Sequence, residues 1–82
     1  MITVTVKLFA GARDIVGINE LPLSFPRHSL AGAVLDALEV RHPRLTEWKP
    51  YLKLAVNHAY APLTHMLEDG DEIAVIPPVS GG

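Results

Sequence analysis

Three stretches of this chain alternate apolar and polar residues with a period of two. That pattern restricts the fold before anything else does. Residues 2–9, ITVTVKLF, set Ile2, Val4, Val6 and Leu8 on one face and Thr3, Thr5, Lys7 and Phe9 on the other. Residues 52–57, LKLAVN, turn Leu52, Leu54 and Val56 inward, and residues 72–76, EIAVI, set Ile73 and Val75 against Ala74 and Ile76. Successive side chains of an extended chain point to opposite faces, so each segment reads as a half-buried strand. Residues 18–25, INELPLSF, read as another strand with Leu21, Leu23 and Phe25 together. Pro22 cannot donate to a ladder there, so it marks an edge or a bulge. HAYAP, residues 58–62, reads as a short edge strand.

A helical period takes over in one place. In SLAGAVLDALEVRHP, residues 29–43, Leu30, Val34, Ala37, Leu38 and Arg41 fall on one stripe, with Asp36, Glu39 and His42 off it. Ser29 is placed to cap the helix and Pro43 to end it. Gly32 falls inside it, where a missing side chain suggests close packing. AGARDIVGI has room for one helical turn between Gly11 and Gly17, LTEWKPY is an irregular connection, and LEDGDE turns at Asp69-Gly70. The order β-β-α-β-(β)-β predicts an α+β domain in two layers. Its mixed sheet has four to five strands, with one main helix on one face. The other face stays open. Phe9 and Ile76 have the parity of that face, and an exposed apolar patch there would mark a partner surface.

Composition removes most function classes. At 82 residues the chain is expected to form one domain, and 49% apolar against 20% charged residues argues for a folded one. It has no cysteine. That excludes a disulfide framework, a thiolate metal site and a cysteine nucleophile, and fits a cytoplasmic protein. The start MITVTVKLFAG alternates and does not resemble a signal peptide, and no apolar run approaches a membrane span. The net charge is −2 with Lys and Arg scattered, so neither nucleic acid nor membrane is an expected partner. His28, His42, His58 and His65 lack metal-ligand spacing and read as solvated, so no metal is expected. Glu68, Asp69, Asp71 and Glu72 do not form a calcium loop and read as a solvated turn. Arg13 and Asp14 read equally as a surface ion pair or as a docking element. With no phosphate-binding glycine loop and no triad order, an autonomous enzyme is not expected.

The end of the chain, DGDEIAVIPPVSGG, is the remaining anomaly. Pro77-Pro78 stiffens the exit from the last strand. Gly81-Gly82, without Cβ atoms, can enter a channel too narrow for other residues. Extended at about 3.3–3.6 Å per residue, Pro77 to Gly82 spans at most roughly 20 Å. Composition leaves two readings open, a working tail or two chance glycines.

Three stretches, VKLFAGARDIVG, LAVNHAYA and LEDGDEIAVIPPVSGG, resemble the small subunits of molybdopterin synthase, in the sulfur-carrier branch of the ubiquitin-like β-grasp superfamily. The resemblance implies a β-grasp domain over residues 1–78 and a flexible tail, 79–82, carrying a reactive Gly82 beside Gly81. An E1-like adenylyltransferase would use ATP to adenylate Gly82. Sulfur would then replace AMP, and the thiocarboxylate would serve cyclic pyranopterin monophosphate inside a large catalytic subunit, two small subunits to two large. No cofactor is implied for this chain alone. By position, Phe9, Arg13, Tyr60, Ile76, Pro77, Pro78, Val79 and Ser80 match the family's docking surface and tail. Ile76 stands where an aromatic residue is frequent, and Ser80 where Thr is. The alternatives are a carrier for thiazole or tRNA thiolation, a modifier that forms amide conjugates, and a structural domain with an idle tail.

Overall fold

The computed structural model describes residues 1–78. In chain order the elements are β1 (Ile2–Leu8), α1 (Ala10–Val16), β2 (Glu20–Phe25) and α2 (Gly32–Arg41), then two 3-10 turns, Pro43–Glu47 and Lys49–Tyr51. The chain continues through β3 (Lys53–Val56), β4 (Ala59–Ala61) and β5 (Glu72–Ile76). The strands form one mixed sheet in the order β2-β1-β5-β3-β4. β1 pairs antiparallel with β2 and parallel with β5, while β3 lies antiparallel to both β5 and β4. With α2 across one face, this is the ubiquitin-like β-grasp.

The period-two pattern sets the core. Ile2, Val4, Val6 and Leu8 are buried, as are Leu23, Phe25, Leu54, Val56, Ile73 and Val75 on the neighbouring strands. Val6 sits in register with Ile73 and Leu54 with Val75, so the central strands stack their apolar rows directly. α2 adds Val34, Leu35 and Leu38. Leu45, Leu52 and Leu67 complete the same cluster. Burying each such side chain is worth roughly 1.5–3 kcal/mol.

The helices depart from the sequence pattern. Ser29 does not cap α2: its hydroxyl donates to the Pro26 carbonyl at 2.7 Å, and the helix starts at Gly32 behind Ala31 with no side-chain cap. The loop 63–67 takes over the capping role. Ala31 N–H donates to His65 O at 2.7 Å and Gly32 N–H to Leu63 O at 2.9 Å, which satisfies donors that a helix start leaves orphaned. Leu30 is diverted into a bridge with Met66 and is exposed, so the buried stripe is Val34, Leu35 and Leu38. Arg41, expected on that stripe, is exposed. Gly32 opens the helix rather than interrupting it. The close packing is real, since a Cβ there would lie 3.4 Å from Leu63 Cβ. The connection after β1 is a helix of 7 residues, longer than one turn, closed by Gly17 at φ 91°.

Two polar knots hold the layers together, one at α2 and one at the end of the sheet where β5 begins. Lys49 Nζ donates to Asp36 Oδ1 at 2.6 Å and to Glu39 Oε1 at 3.0 Å, and Thr46 Oγ1 donates to Glu39 Oε2 at 2.8 Å. This ties α2 to the 3-10 turns. The Thr46 hydrogen bond, then that from Lys49, holds the Glu39 carboxyl below its usual range. The Asp36 and Glu39 hydrogen bonds raise the Lys49 ammonium. The second knot corrects the reading of the acidic run as a solvated turn. Asp71 is 6% exposed, with its carboxylate accepting from Asn57 Nδ2 at 2.9 Å and from Glu68 N–H at 2.8 Å. Asp69 Oδ1 accepts from Thr3 N–H at 2.8 Å. The carboxylates replace backbone partners where β5 begins, so part of the run is structural.

Candidate docking face and tail root

The sheet face away from α2 is built from the residues that the core parity leaves over. Across β1, β5, β3 and β4, one row reads Lys7, Ala74, Ala55, Tyr60. In the next row Ile76 faces Lys53. Leu8 pairs with Val75, so Phe9, still extended at φ −125° and ψ 153°, continues the register towards Ile76. The centre of the face is small and flat at the two alanines. Its margins carry large apolar side chains, Phe9 at 48% exposure and Tyr60 at 74%. A partner backbone can approach Ala74, while Ala55 is already covered at 8% exposure, and the aromatic rings are free to bury. Tyrosine and phenylalanine are enriched in such contacts.

Local backbone geometry aims both rings. Ala10 takes a left-handed φ of 47°, a conformation that costs an L-residue roughly 1–2 kcal/mol. It turns the chain sharply from β1 into α1 and leaves Phe9 outside the core. Asn57 and His58 both have positive φ, 50° and 73°, as the tight two-residue hairpin between β3 and β4 requires. Asn57 is locked in place: its N–H donates to Glu72 O at 2.8 Å, and its Oδ1 accepts from Glu72 N–H at 3.0 Å. That ties the β3–β4 turn, and the hairpin that carries Tyr60, to the start of β5.

A groove of about 620 Å³ runs along the root of the tail, lined by Tyr51, Lys53, Tyr60, Ile76, Pro77 and Pro78 among others. At the far end of the face Glu72 pairs with Lys7 and lies beside His58. Lys7 Nζ lies 3.2 Å from Glu72 Oε1, and His58 Nε2 lies 3.5 Å from Glu72 Oε2.

The fold thus brings Tyr60, Ile76, Pro77 and Pro78 into one groove, with Phe9 beside it. Arg13 stands apart. It is one turn beyond Phe9 on α1, exposed, and does not line the groove. Among the described residues it forms no ion pair with Asp14. Val79, Ser80, Gly81 and Gly82 lie outside the described residues. Ala55, Ala74 and Lys53 were not singled out from sequence, although strand parity marks all three as outward. Tyr51 belongs to a 3-10 turn and carried no periodic signal. Among the described residues no three His, Cys, Asp or Glu side chains gather as a metal site, and no helix is long and apolar enough to cross a membrane.

Comparison with known proteins adds a second kind of observation. Residues 6–82 match the ThiS family. The molybdopterin synthase sulfur carrier subunit of Arabidopsis thaliana is 37% identical over 81 residues, covering 99% of this chain and 84% of that protein. A putative molybdopterin converting factor subunit 1 from Pyrococcus furiosus superposes with a TM-score of 0.87 at 28% identity, over 96% of this chain and 100% of that one. A chain in the complex of subunits 1 and 2 of the Helicobacter pylori molybdopterin-converting factor superposes with a TM-score of 0.68 at 26% identity, over 99% and 100% of the two chains.

Proposed function

The chain belongs to the ThiS family, and from that membership we propose that it is the sulfur-carrier small subunit of a molybdopterin synthase, with Gly82 as the carrier residue. The full-length likeness to the sulfur carrier subunit of A. thaliana carries this reading. The open face supports it physically, because it offers an apolar docking surface that leads directly into Pro77-Pro78.

The chemistry follows from the state of a terminal carboxylate. With a pKa near 3.3–3.7 it is an anion at neutral pH and a poor electrophile. An E1-like adenylyltransferase supplies activation. A Gly82 carboxylate oxygen attacks the α-phosphorus of ATP, pyrophosphate leaves, and an acyl-adenylate forms. A sulfide-level nucleophile, hydrosulfide, then attacks the carbonyl carbon, AMP leaves, and the product is a thiocarboxylate. In the synthase the tail enters the large subunit. There the thiocarboxylate sulfur attacks a carbon of cyclic pyranopterin monophosphate to form a thioester link. Water then cleaves the acyl carbon–sulfur bond, the sulfur stays on the pterin and Gly82 leaves as a carboxylate, and two such transfers supply both sulfurs of the dithiolene. The chain is a sulfur donor and needs no catalytic side chain of its own. Phe9, Arg13, Tyr60 and Ile76 dock it, and Pro77, Pro78, Val79 and Ser80 guide the tail. The assembly fitting this role pairs two small subunits with two large ones in the cytoplasm.

Intact mass tests the reading. After incubation with the adenylyltransferase, ATP and a sulfur source, the chain gains the difference between sulfur and oxygen, and the gain disappears once large subunit and precursor are added. A chain that never gains it is not a sulfur carrier. One that gains it but does not discharge to the pterin precursor serves another thiolation pathway.

A further inference from the structure

Lys53 is the one feature of the groove that an apolar docking surface does not explain. It points to the open face, in register with Ile76, and lines the groove together with Tyr51, Tyr60, Pro77 and Pro78. The chain's other two lysines already have carboxylate partners. Lys7 pairs with Glu72, and Lys49 with Asp36 and Glu39. Lys53 has no carboxylate partner among the described residues. Free in water, the ammonium costs nothing. Covered by a partner that buries Ile76 and Tyr60, it loses its hydration, and an unpaired charge in a dry contact is strongly unfavourable.

We propose that the large subunit docking on this face presents a carboxylate side chain to Lys53, at the mouth of the channel that takes the tail. This rests on the functional reading above and adds the partner's chemistry: an apolar surface over Phe9, Ala55, Ala74 and Ile76, with one acidic group at the edge nearest Pro77. Lys53 is a specificity residue. The charge pair sets where the apolar faces meet, and therefore where Pro77-Pro78 points. Neither Ile76, paired with Lys53 across the sheet, nor Tyr60, beside it in the groove, carries a carboxylate, so the counter-charge comes from the partner.

The test is calorimetric affinity for the large subunit from the same organism, at low and at physiological salt, for the wild type and four variants. Lys53→Met keeps the stem and removes the charge; it weakens binding at least about tenfold at low salt and flattens the salt dependence, as loss of a charge pair at the edge of an interface does. Lys53→Glu weakens it further, and Lys53→Arg binds within about threefold of wild type. Arg27→Gln, which changes net charge equally on a segment outside this groove, leaves affinity unchanged. If Lys53→Met binds as tightly as wild type with the same salt slope, the proposal is wrong while the functional reading stands. If the wild type does not bind the large subunit at all, both fall.

Discussion

Replacing Gly11 by alanine is a one-carbon perturbation with a predictable and visible outcome. Gly11 lies in the first turn of α1, and its φ is outside the left-handed region, so only space decides its tolerance. A Cβ there would sit 2.5 Å from Cζ3 of Trp48 and closer still to Cη2. Those atoms are the far end of the indole, so the backbone can stay while the ring swings away. Trp48 is half-buried and packs against the core. Losing part of that burial costs roughly 1–2 kcal/mol, against a gain from Gly to Ala of about 0.5 kcal/mol in the first turn of the helix. The net expectation is a loss of about 0.5–1.5 kcal/mol. For 82 residues, each kcal/mol moves Tm by roughly 6 °C, so Gly11→Ala should melt about 3–9 °C lower. Trp48 is the sole tryptophan, so its emission should shift to the red as the ring meets water. In a Trp48→Leu background the same alanine should be neutral or stabilising. A Gly11→Ala protein that melts at or above the wild-type temperature with unchanged emission refutes the argument.

Three further outcomes are expected. Adding one residue after Gly82, or deleting it, abolishes sulfur transfer while the melting curve stays put; transfer by the extended chain would end the terminal-carboxylate mechanism. Ile76→Asp weakens large-subunit binding at least about tenfold but costs no more than about 1 kcal/mol of stability, the span of strand propensities. A Tm drop beyond roughly 10 °C would instead make Ile76 a core residue. Glu39 is held below its ordinary value of 4.5 by hydrogen bonds from Thr46 and Lys49. It therefore contributes stability above that value and loses it as pH falls through the folded pKa. Stability curves of wild type and Glu39→Gln should differ by a constant amount near neutral pH and converge in acid; parallel curves down to acid pH would show that the clasp is not formed.

How much of this was readable in advance depends on how local each feature is. β1 and β5 declared themselves through alternation, because one buried face against one open face imposes a period of two on the sequence. The open-face positions of Phe9 and Ile76 came from the same rule. The start of α2 did not, because its cap is supplied from the loop 63–67, more than thirty residues downstream, and no local pattern encodes a distant carbonyl. Asp71 looked like any acidic turn residue. Its burial depends on Asn57, which reaches it only through the β3–β4 hairpin. Lys53 was overlooked for a related reason. One exposed lysine in a strand means little until the pairing lists which other charges are already matched.

The parallel pairing of β1 with β5 has a practical consequence. The tail leaves the sheet at the end where β1 finishes, whereas Met1 precedes the opposite end. Seven strand residues separate the two, about 20 Å at 3.3 Å each. A tag, fluorophore or surface linker attached ahead of Met1 is therefore held a sheet's length from Pro77, where the chain leaves the sheet. The carrier can be anchored by its first residue to a sensor chip with the Pro77 end of the sheet facing the solution, ready for successive enzymes to be passed over it.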